Sequence, residues 1–257
     1  MGVVNITPDS FYDGGSCLEA ATAVRHAWQL VEDGADLIDL GGESSRPGAR
    51  PVPEAEELGR VLPVLRELAP RLPVPVSVDT AKAGVARVVL AEGAEIIFDI
   101  GGLRDEGMRR AVADAGAAVV AMHMRGVPGD MQERPPAVDI MAEIESFFEQ
   151  VLQLPLPPHT MILDPGIGFG KTVQQNLVIL NRLAEFRAFG RPILVGASRK
   201  SFIGAITGLP AAERLPGSLA AAVLAAAHGA RIIRCHDVAA TRQALRVAAA
   251  IRSEAAV

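Results

Sequence analysis

Cysteine, aromatic residues, excess positive charge and long apolar runs are all scarce in this chain, and each scarcity narrows what it can be. Two cysteines, Cys17 and Cys235, in 257 residues are too few for a disulfide framework, so a reduced, cytoplasmic setting is expected. Aromatic residues make up 4% of the chain, which leaves Ala, Val, Leu and Ile to fill the core. Thirty Asp and Glu against 25 Lys and Arg give a net charge of −5. That balance argues against a non-specific nucleic-acid partner. The most apolar stretch, residues 219–227, falls well short of the ~18 residues that a membrane span needs, so no membrane partner is expected. The N-terminus lacks the charged-then-apolar profile of a secretory signal. The five histidines show no zinc-binding spacing. What is plentiful is hydrophobic content, 49% against 21% charged, as in an ordinary globular protein with a sizeable core.

One pattern repeats from end to end: a short apolar run, a polar or glycine-rich break, then a stretch of helical periodicity. The runs are residues 2–6, 36–42, 75–79, 95–100, 118–124, 161–164, 192–197 and 231–238. Helical spacing is clear over 20–32, 54–68, 140–152, 173–186 and 239–251. Runs that are apolar at nearly every position suit parallel strands buried on both faces. Eight of them, alternating with helices over about 250 residues, predict a single-domain α/β chain folded as a (β/α)8 TIM barrel. A doubly wound open sheet is the alternative, because periodicity does not report closure. No Pro/Gly/Ser linker divides the chain, so residues 1–257 read as one domain.

Several runs end in side chains that a buried strand does not favour: Asn5, Asp39, Asp79, Asp99, His123, Asp164, Arg234 and His236. Any one of these is explained as readily by a helix cap or a loop hydrogen bond. A series around one rim instead points to a catalytic barrel, whose site lies at the C-terminal strand ends. The stretch from Gly166 to Thr172 resembles a phosphate loop but fails on spacing, since Pro165 stands where the motif needs glycine. Its glycines still allow a flat ligand to come close to the backbone. The loops around residues 7–15 and 43–51 are rich in turn formers and carry Phe11, Asp13 and Arg46, as either connections or lids. Gly196-Ala-Ser-Arg-Lys-Ser201, with Arg234 and His236, concentrates positive charge after the seventh and eighth runs, where these barrels often bind phosphate. Arg234 and His236 stand two apart, so strand alternation puts them on one face.

These segments match a known family. Gly2-Val-Val-Asn-Ile-Thr-Pro-Asp-Ser-Phe11, Gly42-Glu-Ser-Ser-Arg-Pro-Gly-Ala49, Ser77-Val-Asp-Thr80, Met122-His-Met124, Leu163-Asp-Pro-Gly-Ile-Gly-Phe-Gly-Lys171, Gly196–Ser201 and Arg234-Cys-His-Asp-Val238 closely resemble the dihydropteroate synthase family of pterin-binding TIM barrels. The resemblance implies a cytoplasmic, homodimeric transferase of folate biosynthesis. It would condense 6-hydroxymethyl-7,8-dihydropterin pyrophosphate with p-aminobenzoate, with sulfonamides as competitors. Its implied catalytic residues are Lys200, Arg234 and Asp79. Asp79, Asp164, Lys200, Phe98 and Phe169 would bind the pterin, since a carboxylate accepts paired hydrogen bonds from a donor-rich heterocycle. Arg234, His236 and Asn5 would hold the diphosphate, with Asn5 also the ligand of its Mg²⁺. Phe11, Asp13, Ser45, Arg46, Pro47 and Ser201 would form the p-aminobenzoate pocket and its loops.

Three features depart from the family pattern. Phe98 stands where the family usually has asparagine, which removes an amide from the pterin site. Ser45 stands where it has threonine, keeping the hydroxyl and losing a methyl. The chain opens inside the first strand motif, so the family's N-terminal hairpin is expected to be missing. Phe98 leaves room for a catalytically weak or inactive pterin-binding relative. The barrel with its pterin carboxylates also fits a pterin-dependent methyltransferase module. The cationic segments at 196–201 and 234–236 favour the synthase, because methyl transfer needs no diphosphate site.

Overall fold

The computed structural model describes residues 1–7, 16–45, 48–133 and 136–254. Among them strand and helix alternate through eight repeats. The first four are β1 (Gly2–Asn5), α1 (Ser16–Glu32), β2 (Ile38–Gly41), α2 (Glu54–Leu68), β3 (Val76–Asp79), α3 (Ala83–Ala91), β4 (Ile96–Asp99) and α4 (Glu106–Ala115). The chain continues as β5 (Ala118–Met122), α5 (Ile140–Leu152), β6 (Met161–Asp164) and α6 (Val173–Asn181). It ends with β7 (Leu194–Val195), α7 (Ser201–Thr207), α8 (Leu215–Ala227), β8 (Ile232–Ile233) and α9 (Val238–Ser253). Strands β1 to β6 pair in chain order, every neighbour parallel, and β7 pairs with β8. Parallel bridges from Leu163 to Ile193 and from Gly2 to Cys235 join β6 to β7 and β8 to β1. Leu163 N donates to Pro192 O at 3.0 Å and Val3 N to Cys235 O at 3.2 Å across the same junctions. The ring closes. The repeat therefore builds the predicted (β/α)8 barrel and not the open sheet.

Strand parity divides the core in two. Val4, Leu40, Val78, Ile97, Val119, Leu163 and Val195 pack outward with the helices in one cluster. Ile96, Phe98, Val120, Met122, Ile162 and Leu194 form a second cluster inside the barrel. Both faces of β1 to β7 are largely dry and those of β8 partly so, which is why the runs are apolar at consecutive positions. The helices carry ordinary local signals. Asp105 caps α4 through Met108 N and left-handed Gly116 ends it. Thr172 and Gln175 make a reciprocal capping box on α6. The few aromatics are spent together: Phe148 lies 5.7 Å from Phe147, 5.3 Å from Phe186 and 5.5 Å from Phe189, ring centre to ring centre.

Two sequence expectations are corrected. The stretch 173–186 is not one helix: α6 stops at Asn181 and a 3₁₀ turn covers Leu183–Phe189. At three residues per turn Leu183 and Phe186 share a face, and both are buried. The runs 192–197 and 231–238 give strands of only two residues each. Beyond Ile233 the regular two-strand ladder gives way to single links, Arg234 N to Val195 O at 3.0 Å and the Cys235 bridge to β1.

Phe148 is fully buried with three aromatic neighbours, so Phe148→Ala should destabilise the fold by about 3–5 kcal/mol. Urea denaturation of the two proteins measures this, and a loss below about 1 kcal/mol would mean that the cluster collapses without cost.

Candidate active site

Parallel strands bring all their C-terminal ends to one mouth of the barrel. Strand β2 supplies Asp39 from its middle, β3 ends in Asp79, and β6 ends in Asp164. The residue after β8 is Arg234, and the loop after β7 carries Lys200. Arg234 Nε donates to Asp39 Oδ2 at 2.7 Å, and its Nη2 lies 2.6 Å from the same oxygen and 3.1 Å from Asp79 Oδ2. The guanidinium carbon sits 5.0 Å from the centre of the Phe98 ring. Asp39 is fully buried, and its Oδ1 has no hydrogen-bond partner. Register places Asp79 beside Gly41 on one side and Phe98 on the other, with Asn5 beyond Gly41. Gly41 therefore leaves an opening flanked by Asn5 and the Asp79 side chain.

A second group of charges stands at β6, each held by a backbone partner. Lys200 Nζ donates to the Ile167 carbonyl and lies 4.4 Å from the centre of the Phe169 ring. Asp164 Oδ1 accepts Gly166 N–H at 2.7 Å. Burial dominates the titration of both groups. It pushes Asp79 up to about 7, with Arg234 opposing the rise. It lifts Asp164 against the pull of Lys200 and the Gly166 N–H. It lowers Lys200 to about 8, with Asp164 opposing. For Arg234 burial works against the charge, but Asp39 and Asp79 outweigh it and hold the group above its ordinary value. The mouth is thus a set of buried opposite charges with carboxyl and ammonium groups that titrate near neutrality.

The glycine-rich loop after β6 is built against the neighbouring loop. Gly166 has φ +69°, and a Cβ there would collide with the His123 carbonyl oxygen. Lys171 turns inward and donates to the carbonyls of His123 at 3.1 Å and Phe169 at 3.0 Å. Burial lowers it to about 7. It pins the loop and does not face a ligand.

The remaining sequence-derived positions fall as follows. Asn5 ends β1 and is half-buried, Ser45 is half-buried beyond β2, and exposed Ser201 opens α7. His236 lies beyond the end of β8 and is exposed, with its Nδ1 3.0 Å from Ser198 Oγ. Phe11, Asp13, Arg46 and Pro47 lie outside the described residues. Two members of the polar rim do not face the mouth. Asp99 accepts the N–H groups of Gly101 and Leu103, each at 2.7 Å, and shapes its own loop. His123 sits 3.2 Å from Glu143 on α5 and edge-on to Phe147, and burial lowers it to about 2, so it is neutral. For these two the loop-and-packing explanation holds.

Asp39 was visible as a polar strand residue but had no assigned role. Another signal was available: the chain holds three lysines, Lys82, Lys171 and Lys200, and all three follow barrel strands closely. Lys82 bridges Glu43, in the loop after β2, to fully buried Glu57 of α2. Burial opposes its charge, yet the two carboxylates raise it overall. No cluster of three or more His, Cys, Asp or Glu fit to hold a metal lies among the described residues. A cavity of about 550 Å³ lies at the opposite end of the barrel, beside Leu37, Ala230 and Arg231. It is remote from the strand ends that carry this chemistry.

Comparison with known proteins bears on this arrangement. The family described as "Pterin binding enzyme" matches residues 1–236. The dihydropteroate synthase of Escherichia coli strain K12 is 48% identical over 257 residues, covering 98% of this chain and 91% of that protein. The crystal structure of the Yersinia pestis dihydropteroate synthase with a sulfonamide drug superposes with a TM-score of 0.91 at 44% identity, covering 98% of this chain and 94% of that one. The Xanthomonas albilineans dihydropteroate synthase in complex with 7,8-dihydropteroate gives 0.87 at 40% identity, covering 98% and 93%.

Three lysines make the electrostatics directly measurable. After reductive ¹³C-methylation, an NMR titration should show Lys171 changing near pH 7, Lys200 near pH 8 and Lys82 above its ordinary 10.5. Three superimposed titrations above pH 10 would contradict the burial of the first two.

Proposed function

The chain belongs to the pterin-binding enzymes, among the dihydropteroate synthases, and from that membership we propose how its own residues carry the reaction. The substrates are 6-hydroxymethyl-7,8-dihydropterin pyrophosphate and p-aminobenzoate, and the products are 7,8-dihydropteroate and pyrophosphate. The observation that carries this reading is the convergence of buried carboxylates, two of them bonded to Arg234 and the third close enough to Lys200 to oppose its loss of charge, at a single mouth. The relatives solved with a sulfonamide and with dihydropteroate support the same substrates, and sulfonamides as competitors.

Asp164 accepts paired hydrogen bonds from the pterin amino group and ring N–H, the strong charge-assisted geometry for a carboxylate. Asp79, held near neutrality by burial against Arg234, binds a second part of the ring as acceptor or donor. Lys200 contacts the ring, and Phe98 and Phe169 give it apolar faces. Arg234 has Nε and Nη2 engaged by carboxylates, so Nη1 remains for a diphosphate oxygen, beside His236. The C–O bond to the diphosphate breaks and its electron pair leaves with the diphosphate. The methylene carbon, electron-poor but delocalised into the ring, takes the amine lone pair and forms the C–N bond. The amine is neutral at pH 7 and sheds its proton after attack, so the site needs no strong general base. Phe11, Ser45, Arg46, Pro47 and Ser201 line the p-aminobenzoate side, with Asp13 ordering the first loop.

Asn5 offers one hard oxygen, and no group of three or more His, Cys, Asp or Glu fit to hold a metal lies among the described residues. That donor set fits a Mg²⁺ that arrives with the diphosphate and keeps water and phosphate ligands. When bound, it supplies charge neutralisation on the departing oxygens. A homodimer in a reduced cytoplasm accords with the family resemblance and with a buried free thiol at Cys235.

The chain incubated with both substrates and Mg²⁺ should form dihydropteroate, and a sulfonamide should suppress it competitively with p-aminobenzoate. No product at high enzyme concentration sinks this reading. Asp164→Asn should lower kcat/KM for the pterin substrate about 100-fold, the weight of a charged acceptor pair. One second reading has a specific observation behind it: Phe98, 2% exposed with the Arg234 guanidinium 5.0 Å over its centre, fills the pterin side with a ring. If that ring limits binding, Phe98→Asn lowers the KM for the pterin substrate; an unchanged or higher KM shows that the ring serves this chain.

A further inference from the structure

Two local oddities meet between the loops after β7 and β8. Arg199 is a non-glycine residue at φ +56°, a left-handed backbone that side chains other than glycine rarely adopt. Asp237 stands at the N-cap of α9, yet its side chain makes no capping hydrogen bond there, although aspartate is among the best cap residues. One contact accounts for both. Arg199 Nε donates to Asp237 Oδ2 at 2.9 Å and Nη2 to Oδ1 at 2.7 Å, a planar two-point pair. The guanidinium holds the Asp237 carboxyl below the usual carboxylate range.

The rest of Arg199 is equally committed. Its N–H donates to Ser218 Oγ at 2.8 Å, and its carbonyl accepts from Arg214 Nη1 at 3.2 Å. Its own Nη1 donates to the carbonyl of Ala212 at 3.2 Å. Both flanking residues belong to the site described above. Ser198 Oγ meets His236 Nδ1 at 3.0 Å and the His236 N–H at 3.3 Å. On the other side, Lys200 reaches Ile167 O across the mouth.

We propose that the Arg199–Asp237 pair is a latch between the loops after β7 and β8, and that Arg199 is a positioning residue for the diphosphate end of the pterin substrate. The latch sets the distance between Ser198 and His236, and through Ser198 the direction of the imidazole. A ligand that uses Arg234 and His236 together feels that distance. p-Aminobenzoate, which takes Ser201 of α7 and neither Arg234 nor His236, does not. The inference rests on the reaction proposed above, and its primary test is binding, not turnover.

Inorganic pyrophosphate, titrated with Mg²⁺ into the full chain by calorimetry, is the probe. Arg199→Gln and Asp237→Asn should each weaken it about tenfold, the scale of a small misplacement in a preorganised site. The double variant should be no weaker than either single one. Arg199→Lys should recover part of the loss. Arg199→Gly relaxes the backbone but lacks the latch, so it should bind as weakly as Arg199→Gln. In turnover, the KM for the pterin substrate should rise by a similar factor while that for p-aminobenzoate stays within about twofold. Wild-type affinity in Arg199→Gly, additive losses in the double variant or equal rises in both KM values overturn the latch. So does a wild-type chain that binds no pyrophosphate. If Arg199→Gln does not fold, the lysine and glycine variants carry the same comparison. A wild-type chain that binds pyrophosphate but makes no dihydropteroate refutes the proposed reaction and leaves the latch standing on its binding data.

Discussion

A guanidinium held between two buried carboxylates organises the mouth of this barrel. Arg234 bonds Asp39 and Asp79 across strands that are distant in sequence, and so ties β8 to β2 and β3. Charges taken out of water at this depth are tolerated only when paired. Asp39, Asp79 and Arg234 together still carry an excess negative charge if all are ionised. Burial relieves it by pushing Asp79 up to about 7, where it shares a proton with solvent or with a ligand. The same constraint that keeps the cluster folded also leaves carboxylate acceptors and one guanidinium edge at the mouth. A donor-rich ring can satisfy the carboxylates, and an anionic tail can take the unused edge of the arginine. Removing Arg234 would strand two buried carboxylates at a cost of about 3–5 kcal/mol, so its structural and binding roles cannot be separated by deletion alone.

Around that cluster the loops are fixed by cations whose targets are protein groups. Lys171 holds two carbonyls of adjoining loops, Lys82 joins Glu43 to Glu57, and Arg199 joins the last two loops. Positively charged residues beyond strand ends thus divide into those that face the mouth and those that hold its walls. Exposure and residue type do not separate the groups, since the Arg234 side chain is 19% exposed against 22% for Lys82 and 31% for Arg199; the elements that each cation joins do. A barrel floor is rigid by its hydrogen-bonded ladder, whereas the rim needs such ties to keep its side chains in place.

The fold was legible because both strand faces are buried, which writes eight apolar runs into the sequence; closure was not, since it rests on single bridges at Leu163–Ile193 and Gly2–Cys235. The rim was legible only in part. Asp79, Asp99, His123 and Asp164 look alike as polar strand ends, and parity decides among them. Asp79 pairs in register with Phe98, so Asp99, one residue on, faces the other way. Met122 pairs with Asp164, so His123 likewise turns outward toward α5. A one-residue offset converts a site carboxylate into a loop cap, and nothing in a short apolar run reports that offset. Asp39 was obscured for another reason: its partner lies 195 residues away.

Parity also explains why a phenylalanine at position 98 is compatible with this site. The residue lies in the same inward layer as Asp79, directly beside it. An amide there could hydrogen-bond a ligand but would give Arg234 no apolar face. The ring gives it one, and a guanidinium 5.0 Å over a ring centre gains about 0.5–2 kcal/mol. Asp39 then fixes the remaining direction of the guanidinium through two donors. In this chain the orientation of Arg234 is set by one ring and two carboxylates. What the ring at position 98 lacks in polarity it returns as an apolar face for a cation that two carboxylates already hold.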